Sequence, residues 1–302
     1  MEKTSNQAPA GTATRYAYFP GCSLHGTAVE YASSALAVAE SLGVELVEIP
    51  NWTCCGSTPA HLTDELLAAP LPVKNILEAQ KIADEIALCC AACYSRFRIA
   101  NKHIREKEDI RTQVNEVLEA EYDGSMKIRH FLDILMNDIG LEQIKAKVQK
   151  SLNGLKVACY YGCLLTRPPK IVAFDDPEDP TCIDELMETV GASTIPWPFK
   201  TDCCGASFSL TKTEIVLKLS YDILAQARKR GAEALVCACP LCHANLDMRQ
   251  EDIEKEYGTT FGMPVFYFTQ LLGLALGVDE AALGLKKTMV SPMGLLREKG
   301  LV

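Results

Sequence analysis

The feature that most restricts what this chain can become is a set of five cysteines that occurs twice with one shared interval. The first set runs Cys22, Cys54-Cys55-Gly56, then Cys90-x-x-Cys93; the second runs Cys163, Cys203-Cys204-Gly205, then Cys239-x-x-Cys242. In both, the second cysteine of the CCG triplet lies 35 positions before the first cysteine of CxxC. Self-similarity of this kind is weighed before any single motif, because it makes the chain two copies of one unit. The echo continues past the cysteines, where MKIRHFLDILMNDIG (126–140) aligns without gaps on MPVFYFTQLLGLALG (263–277). The interval from the first cysteine to CCG differs, 32 positions against 40, and the longer copy contains RPPKIVAFDDPEDP, a loop by its turn chemistry.

Each copy alternates short apolar runs with helical patterns. YAYFPGC, VELVEIP and EIALCC read as strands in the first, and LKVACYY, STIPW and ALVCACP in the second. Between them Val29, Ala32, Leu36, Ala39 and Leu42 recur at helical spacing ahead of Gly43, a C-cap residue. Val216, Leu219, Ile223 and Ala227 do the same ahead of Gly231. The alternation predicts an α/β fold of two pseudo-symmetric repeats, each a small, mainly parallel sheet flanked by helices. Cys22, Cys90, Cys163 and Cys239 each close a strand, so the cysteines gather at the carboxyl edge of the sheets, where helix N-termini favour a thiolate-ligated anion. The expected divisions are a flexible polar tail over 1–14, a first unit over 15–148 and a second over 149–302.

Fourteen cysteines in 302 residues are too sparse for a disulfide scaffold, and 48% apolar content supplies a core without staples. The polar opening MEKTSNQAPAGTATR has no apolar stretch of the secretory kind, so a cytoplasmic location with reduced thiols is expected. No apolar run approaches the roughly 20 residues of a membrane span. A net charge of −9 without a basic stripe argues against nucleic acid. Clustered, reduced cysteines then serve metal binding or redox chemistry. Four thiolates satisfy a zinc ion or a cubane [4Fe–4S] cluster, and five is one too many. A zinc knuckle or dithiol exchange is the plain reading of a lone CxxC, but neither accounts for the CC pairs. Adjacent cysteines project in different directions and suit two metal ions, while Gly56 and Gly205 permit close backbone approach or a positive φ.

The duplicated pattern resembles the cysteine-rich CCG domain of the B-type subunit of heterodisulfide reductase and of iron–sulfur subunits of lactate-utilisation, glycolate-oxidase and thiol:fumarate-reductase proteins. YYGCLLTRPP, FDDPEDP, KTDCCGAS, CPLCHANLDMRQ and PVFYFTQLLGLALG are similar to the heterodisulfide reductase subunit in particular. The resemblance covers nearly the whole chain apart from the tail. It implies two noncubane [4Fe–4S] clusters, each bound by five cysteines with one thiolate bridging irons. Carried over by position, the first takes Cys22, Cys54, Cys55, Cys90 and Cys93, and the second Cys163, Cys203, Cys204, Cys239 and Cys242. The implied activity is that of an oxidoreductase acting on a sulfur group, a catalytic subunit cleaving a CoM-S-S-CoB-type heterodisulfide by two one-electron transfers. The alternatives are an electron-relay subunit of a lactate- or glycolate-type dehydrogenase and a reductase of a different low-potential disulfide.

The partners implied are a small cubane-carrying iron–sulfur subunit and a large flavin-containing subunit, fed by a hydrogenase or formate dehydrogenase module. The chain carries no GxGxxG or P-loop fingerprint of its own, so its electrons must come from such partners. For a substrate bearing sulfonate and phosphate groups, Arg167 and Lys200 are the basic side chains singled out near second-set cysteines. His25 and His243, flanking Cys22 and Cys242, are candidate proton or hydrogen-bond donors to sulfur. Cys89, Cys159, Cys182 and Cys237 remain outside both sets, with Cys159 and Cys237 on apolar strand patterns that suit small buried hydrophobes.

Overall fold

In the computed structural model, which describes residues 14–57 and 68–302, the chain forms two four-stranded sheets of matching connectivity. The expected tail over 1–14 lies outside the described residues except for Thr14, which opens the first strand. The first sheet takes β1 (Thr14–Phe19), β2 (Val44–Glu48), β3 (Glu85–Leu88) and β4 (Lys127–His130) in the order β2-β1-β3-β4. The second takes β5 (Lys156–Tyr160), β6 (Ser193–Thr194), β7 (Ala234–Cys237) and β8 (Val265–Tyr267) in the order β6-β5-β7-β8. Every pairing is parallel among the described residues. Parallel strands have both faces covered by crossover helices, and β7, ALVC, is accordingly buried at every residue.

The apolar pattern marks three strands in each copy, and the structure adds a fourth. β4 and β8 come from the gapless echo of 126–140 and 263–277, but each is only three or four residues long before a helix begins at Phe131 or Phe268. Runs that short have no period of their own to read. The crossover helix Val29–Leu42 ends as its sequence requires, with Gly43 in the left-handed region (φ 80°) and its N–H on the carbonyls of Ala39 and Glu40.

The connectivity fixes where a ligand can sit. From β1 the chain passes to β2 on one side and then to β3 on the other, so strand order reverses between β1 and β3, and likewise between β5 and β7. Ligands of open α/β sheets gather at the carboxyl ends of such strand pairs. Cys22 and Cys90 follow β1 and β3, and Cys163 and Cys239 follow β5 and β7.

The halves meet along helix Val29–Leu42 of the first and helix Phe268–Ala275 of the second. The Tyr31 ring stacks on Tyr267 at 4.0 Å between centroids, and the Ser34 and Thr269 hydroxyls lie 2.7 Å apart. Away from that helix pair, Arg98 donates to the Ile171 carbonyl from Nη2 at 2.7 Å and Nε at 3.1 Å. One apolar core runs through both halves.

His130, at the end of β4, is buried with Nε2 donating to the Cys89 carbonyl (2.8 Å) and Nδ1 accepting from the Leu132 amide (3.2 Å). With both nitrogens so engaged the ring is neutral, and burial pushes its pKa down to about 4. Unfolded, the ring takes up its proton near 6.5. Between pH 6.5 and 4 the unfolded chain therefore binds the extra proton, so stability falls as pH falls through that window, by on the order of 3 kcal/mol. Urea titrations across the window should show this loss, and His130→Gln should flatten it.

Candidate functional site

Each set of cysteines is positioned by the same local devices. Cys90 is the N-cap of helix Ala91–Glu106 and Cys239 that of helix Pro240–His243, both in extended backbone, with Cys93 and Cys242 inside the helices they cap. The free N–H groups of a first helical turn, and the positive end of its dipole, stabilise thiolate there. In each CCG triplet the glycine N–H points back at the first sulfur, Gly56 to Cys54 Sγ at 3.4 Å and Gly205 to Cys203 Sγ at 3.3 Å. Both glycines hold a positive φ, 71° and 80°. The glycines of FPGC and YYGC have a steric reason as well: a Cβ on Gly21 would stand 3.3 Å from Cys93 Sγ, and one on Gly162 would stand 3.0 Å from Cys242 Sγ.

The sulfurs crowd one another. Cys93 and Cys55 lie 3.1 Å apart, Cys204 and Cys242 3.6 Å. S–H donation from Cys54 and Cys93 draws the Cys55 pKa down to about 4, and donation from Cys163 draws Cys203 down to about 6. Cys239 goes down too, because Cys242 and Cys90 donate to it. Cys54, Cys163 and Cys90 move up in turn. Thiolates stabilised by neighbouring thiols instead of water are the donor chemistry that metals recruit. Among the described residues no three or more His, Cys, Asp or Glu side chains are set around one metal ion; the sulfurs run as a chain of pairs. The two sets also act on each other where the halves cross, because the Cys90 thiol of the first set draws the Cys239 pKa of the second down and is itself pushed up.

Tyr31 holds this crossing in place. Its hydroxyl is shared between the carbonyls of Cys89 (2.9 Å) and Ala238 (3.3 Å), the residues that immediately precede Cys90 and Cys239. Beside the crossing is a cavity of about 120 Å³ walled by all five cysteines of the second set, Cys163, Cys203, Cys204, Cys239 and Cys242. Ser57, Ala91, Ala92 and Arg96 of the first half also line it. A larger cavity of about 630 Å³, bordered by Lys150 and Asp279, includes no cysteine.

The structure brings Cys55 and Cys93 together in the first half and Cys204 and Cys242 in the second, and buries the four cysteines that belong to neither set apart from them. Burial pushes Cys89 up to about 12 and raises Cys159, Cys182 and Cys237 as well. Of the basic candidates, Arg167 pairs with Glu178 (3.0 Å) and bonds Thr201 Oγ1 (3.1 Å), and Lys200 contacts Asp179 (3.0 Å), Asp184 (3.5 Å) and the Pro180 carbonyl (2.8 Å). His25 lies 3.3 Å from Glu48 and edge-on to Trp52. His243 is buried, bonded to the Val265 carbonyl (2.9 Å) and stacked on Tyr267 (4.3 Å). None of these four lines the small cavity. Two polar side chains that sequence reasoning passed over do reach cysteines or their cavity. Asn245 donates to Cys204 at Sγ (3.5 Å) and at its carbonyl (3.1 Å), and Arg96 lines the cavity. Both stand third after a CxxC, a signal the repeat already contained.

The cysteine-rich CCG domain matches this chain twice, over residues 16–98 and 157–247. The chain belongs to the CCG domain family. It is 32% identical over 278 residues, 91% of this chain and 96% of the relative, to a protein of Wolinella succinogenes named 8-methylmenaquinol:fumarate reductase membrane anchor subunit. It is 30% identical over 85% of its length, and 87% of the relative's, to the B-type subunit of the ferredoxin/F420H2-dependent CoB-CoM heterodisulfide reductase of Methanosarcina acetivorans. A protein of Archaeoglobus profundus, named as like that heterodisulfide reductase subunit, is 27% identical over 88% of this chain and 91% of its own. A crystal structure of a hypothetical protein from Helicobacter pylori shares the fold at a TM-score of 0.72 and 13% identity, covering 94% of this chain and 53% of that one. Among the described residues, no helix is long and apolar enough to cross a membrane.

Tyr31→Phe keeps the ring stacked on Tyr267 and removes the shared hydroxyl, leaving the Ala238 carbonyl without its partner. A loss of about 1–2 kcal/mol is expected in denaturant titration. Faster hydrogen exchange around Cys90 and Cys239 should accompany it.

Proposed function

We propose that this chain is the disulfide-reducing iron–sulfur subunit of a heterodisulfide-reductase-like complex, with a noncubane [4Fe–4S] cluster on each five-cysteine set and a CoM-S-S-CoB-type heterodisulfide as substrate. The observation that carries the reading is the adjacency of the two sets: the Cys90 and Cys239 thiols shift each other's titration, and a cavity beside them is walled by second-set thiols and by residues of the first half. The residues present fit the cofactor. Ten cysteines in two sets, with sulfur pairs as close as 3.1 and 3.6 Å, offer more sulfur than two zinc ions or two cubanes use, and Gly21 and Gly162 leave space where a Cβ would press on a sulfur. Bound there, such clusters would supply single electrons and iron with an affinity for substrate sulfur.

Reduction of R–S–S–R′ takes up two electrons and two protons and releases RSH and R′SH. Two one-electron donors held by the two sets would supply both electrons, and the confined cavity would keep a half-reduced sulfur from leaving. The chain's own residues shape the place for this. Ala91, Ala92, Leu164 and Leu241 keep the cavity wall apolar, and Asn245 orients Cys204 through its bond to sulfur. In this reading electrons reach the chain from a cubane-carrying subunit and a flavin-containing subunit; that two relatives are named as subunits of ferredoxin- or F420H2-dependent heterodisulfide reductases supports membership of such a complex. The relative named as part of a fumarate reductase supports a second reading, an electron relay with no disulfide of its own.

Anaerobically purified protein should carry about eight irons per chain. Gly162→Ala, which places a methyl group against Cys242 Sγ, should roughly halve that content. Turnover of the heterodisulfide with reduced viologen should vanish when either Cys54-Cys55 or Cys203-Cys204 is replaced by alanine pairs, and undiminished turnover in either variant sinks the two-site reading. Cluster EPR spectra that change on adding the disulfide fit the reductase, whereas spectra indifferent to it fit the relay.

A further inference from the structure

The two halves differ at one corresponding position in a way their symmetry does not require. The third residue after CxxC is Asn245 in the second half and Arg96 in the first. Asn245 is fully used: its amide donates to Cys204, and its oxygen accepts from the Ser209 hydroxyl at 2.9 Å. Arg96 makes no hydrogen bond or ion pair among the described residues, and its Nε is buried without a partner. Ala92 and Arg96, one helical turn apart on helix Ala91–Glu106, both line the cavity, so that guanidinium stands where the first half faces the second set's thiols. It is the only basic side chain among the described residues lining that cavity.

A guanidinium stays protonated even when burial opposes it, as burial does here, and an unpaired one beside a cavity is an unfilled site for a planar or tetrahedral oxyanion. The Cys55 thiolate favours its charge but leaves the Nε–H unbonded. We propose that Arg96 recognises an anionic group, a carboxylate, sulfonate or phosphate, carried a short distance from the sulfur of the thiol or disulfide that enters this cavity. The proposal rests on the disulfide reading of the site and assigns the side chain that reads the anionic arm of its substrate. It also makes the cavity polar in direction: the anionic arm lies toward the first half and the sulfur toward the second set.

The test uses full-length, cluster-loaded protein under anaerobic conditions and calorimetric titration with mercaptopropionate, mercaptoethanesulfonate, neutral mercaptoethanol and thiol-free propionate. Wild type should bind the two anionic thiols at least about tenfold more tightly than mercaptoethanol. Arg96→Gln should erase that preference while leaving mercaptoethanol binding and iron content unchanged, and Arg96→Lys should restore part of it. Equal binding of anionic and neutral thiols by wild type overturns the proposal. So does a loss in Arg96→Gln that falls on mercaptoethanol and iron content alike, since Arg96 then serves the cysteines. If propionate binds as tightly as mercaptopropionate and depends on Arg96, the anion site stands and the disulfide reading falls.

Discussion

The arrangement of the site depends on one hydroxyl. Tyr31 reaches from the first half to the carbonyls that precede Cys90 and Cys239, and its ring is clamped against Tyr267, which stacks in turn on His243. Each half alone would present its cysteines at the edge of a small sheet. The shared hydrogen bond sets the two CxxC entries side by side, and the stack denies them freedom to slide. Buried hydrogen bonds add only about 1 kcal/mol of net stability each. Here the bond chiefly fixes geometry, because two packed helices could cross in several registers and only one leaves both carbonyls within reach of Tyr31.

Local hydrogen bonding, more than depth, decides which buried cysteines hold a lowered pKa. Cys55 and Cys89 are both buried, yet one is drawn down to about 4 and the other pushed up to about 12. The difference is that Cys55 accepts S–H bonds from Cys54 and Cys93, whereas burial dominates at Cys89. Cys239 and Cys237 repeat the contrast two residues apart, one a thiolate accepting from two thiols and the other an apolar-lined thiol on β7.

This sorting explains why so much of the site is legible in the sequence. Cysteines of one set must be near each other, so they fall at fixed intervals on strand ends and helix starts, and a repeated interval of 35 separates Cys90 from its neighbour Cys89. The α/β alternation is legible for the same reason, since β1, β3, β5 and β7 are apolar runs closed by a cysteine. Less legible are β4 and β8, whose three or four residues carry no period, although the gapless echo of 126–140 and 263–277 marks their equivalence. Arg167 and Lys200 stand near the cysteines in sequence, but the acidic loop between them supplies Glu178 and Asp179 as their partners, a fact of folding that spacing does not carry. Arg96 reads as an ordinary helix-surface cation until the cavity shows which way its helix faces.

The seam between the halves has a thermodynamic consequence. The cavity at the seam is lined from both halves, so a ligand that fills it and touches both walls would favour the docked arrangement over any splayed one, and its binding free energy would become cohesion between the halves. The relation would be reciprocal: whatever strains the seam, from heat to a partner pulling on one half, would weaken the hold on that ligand. The two lobes would then act as jaws whose closing force is supplied by the object between them.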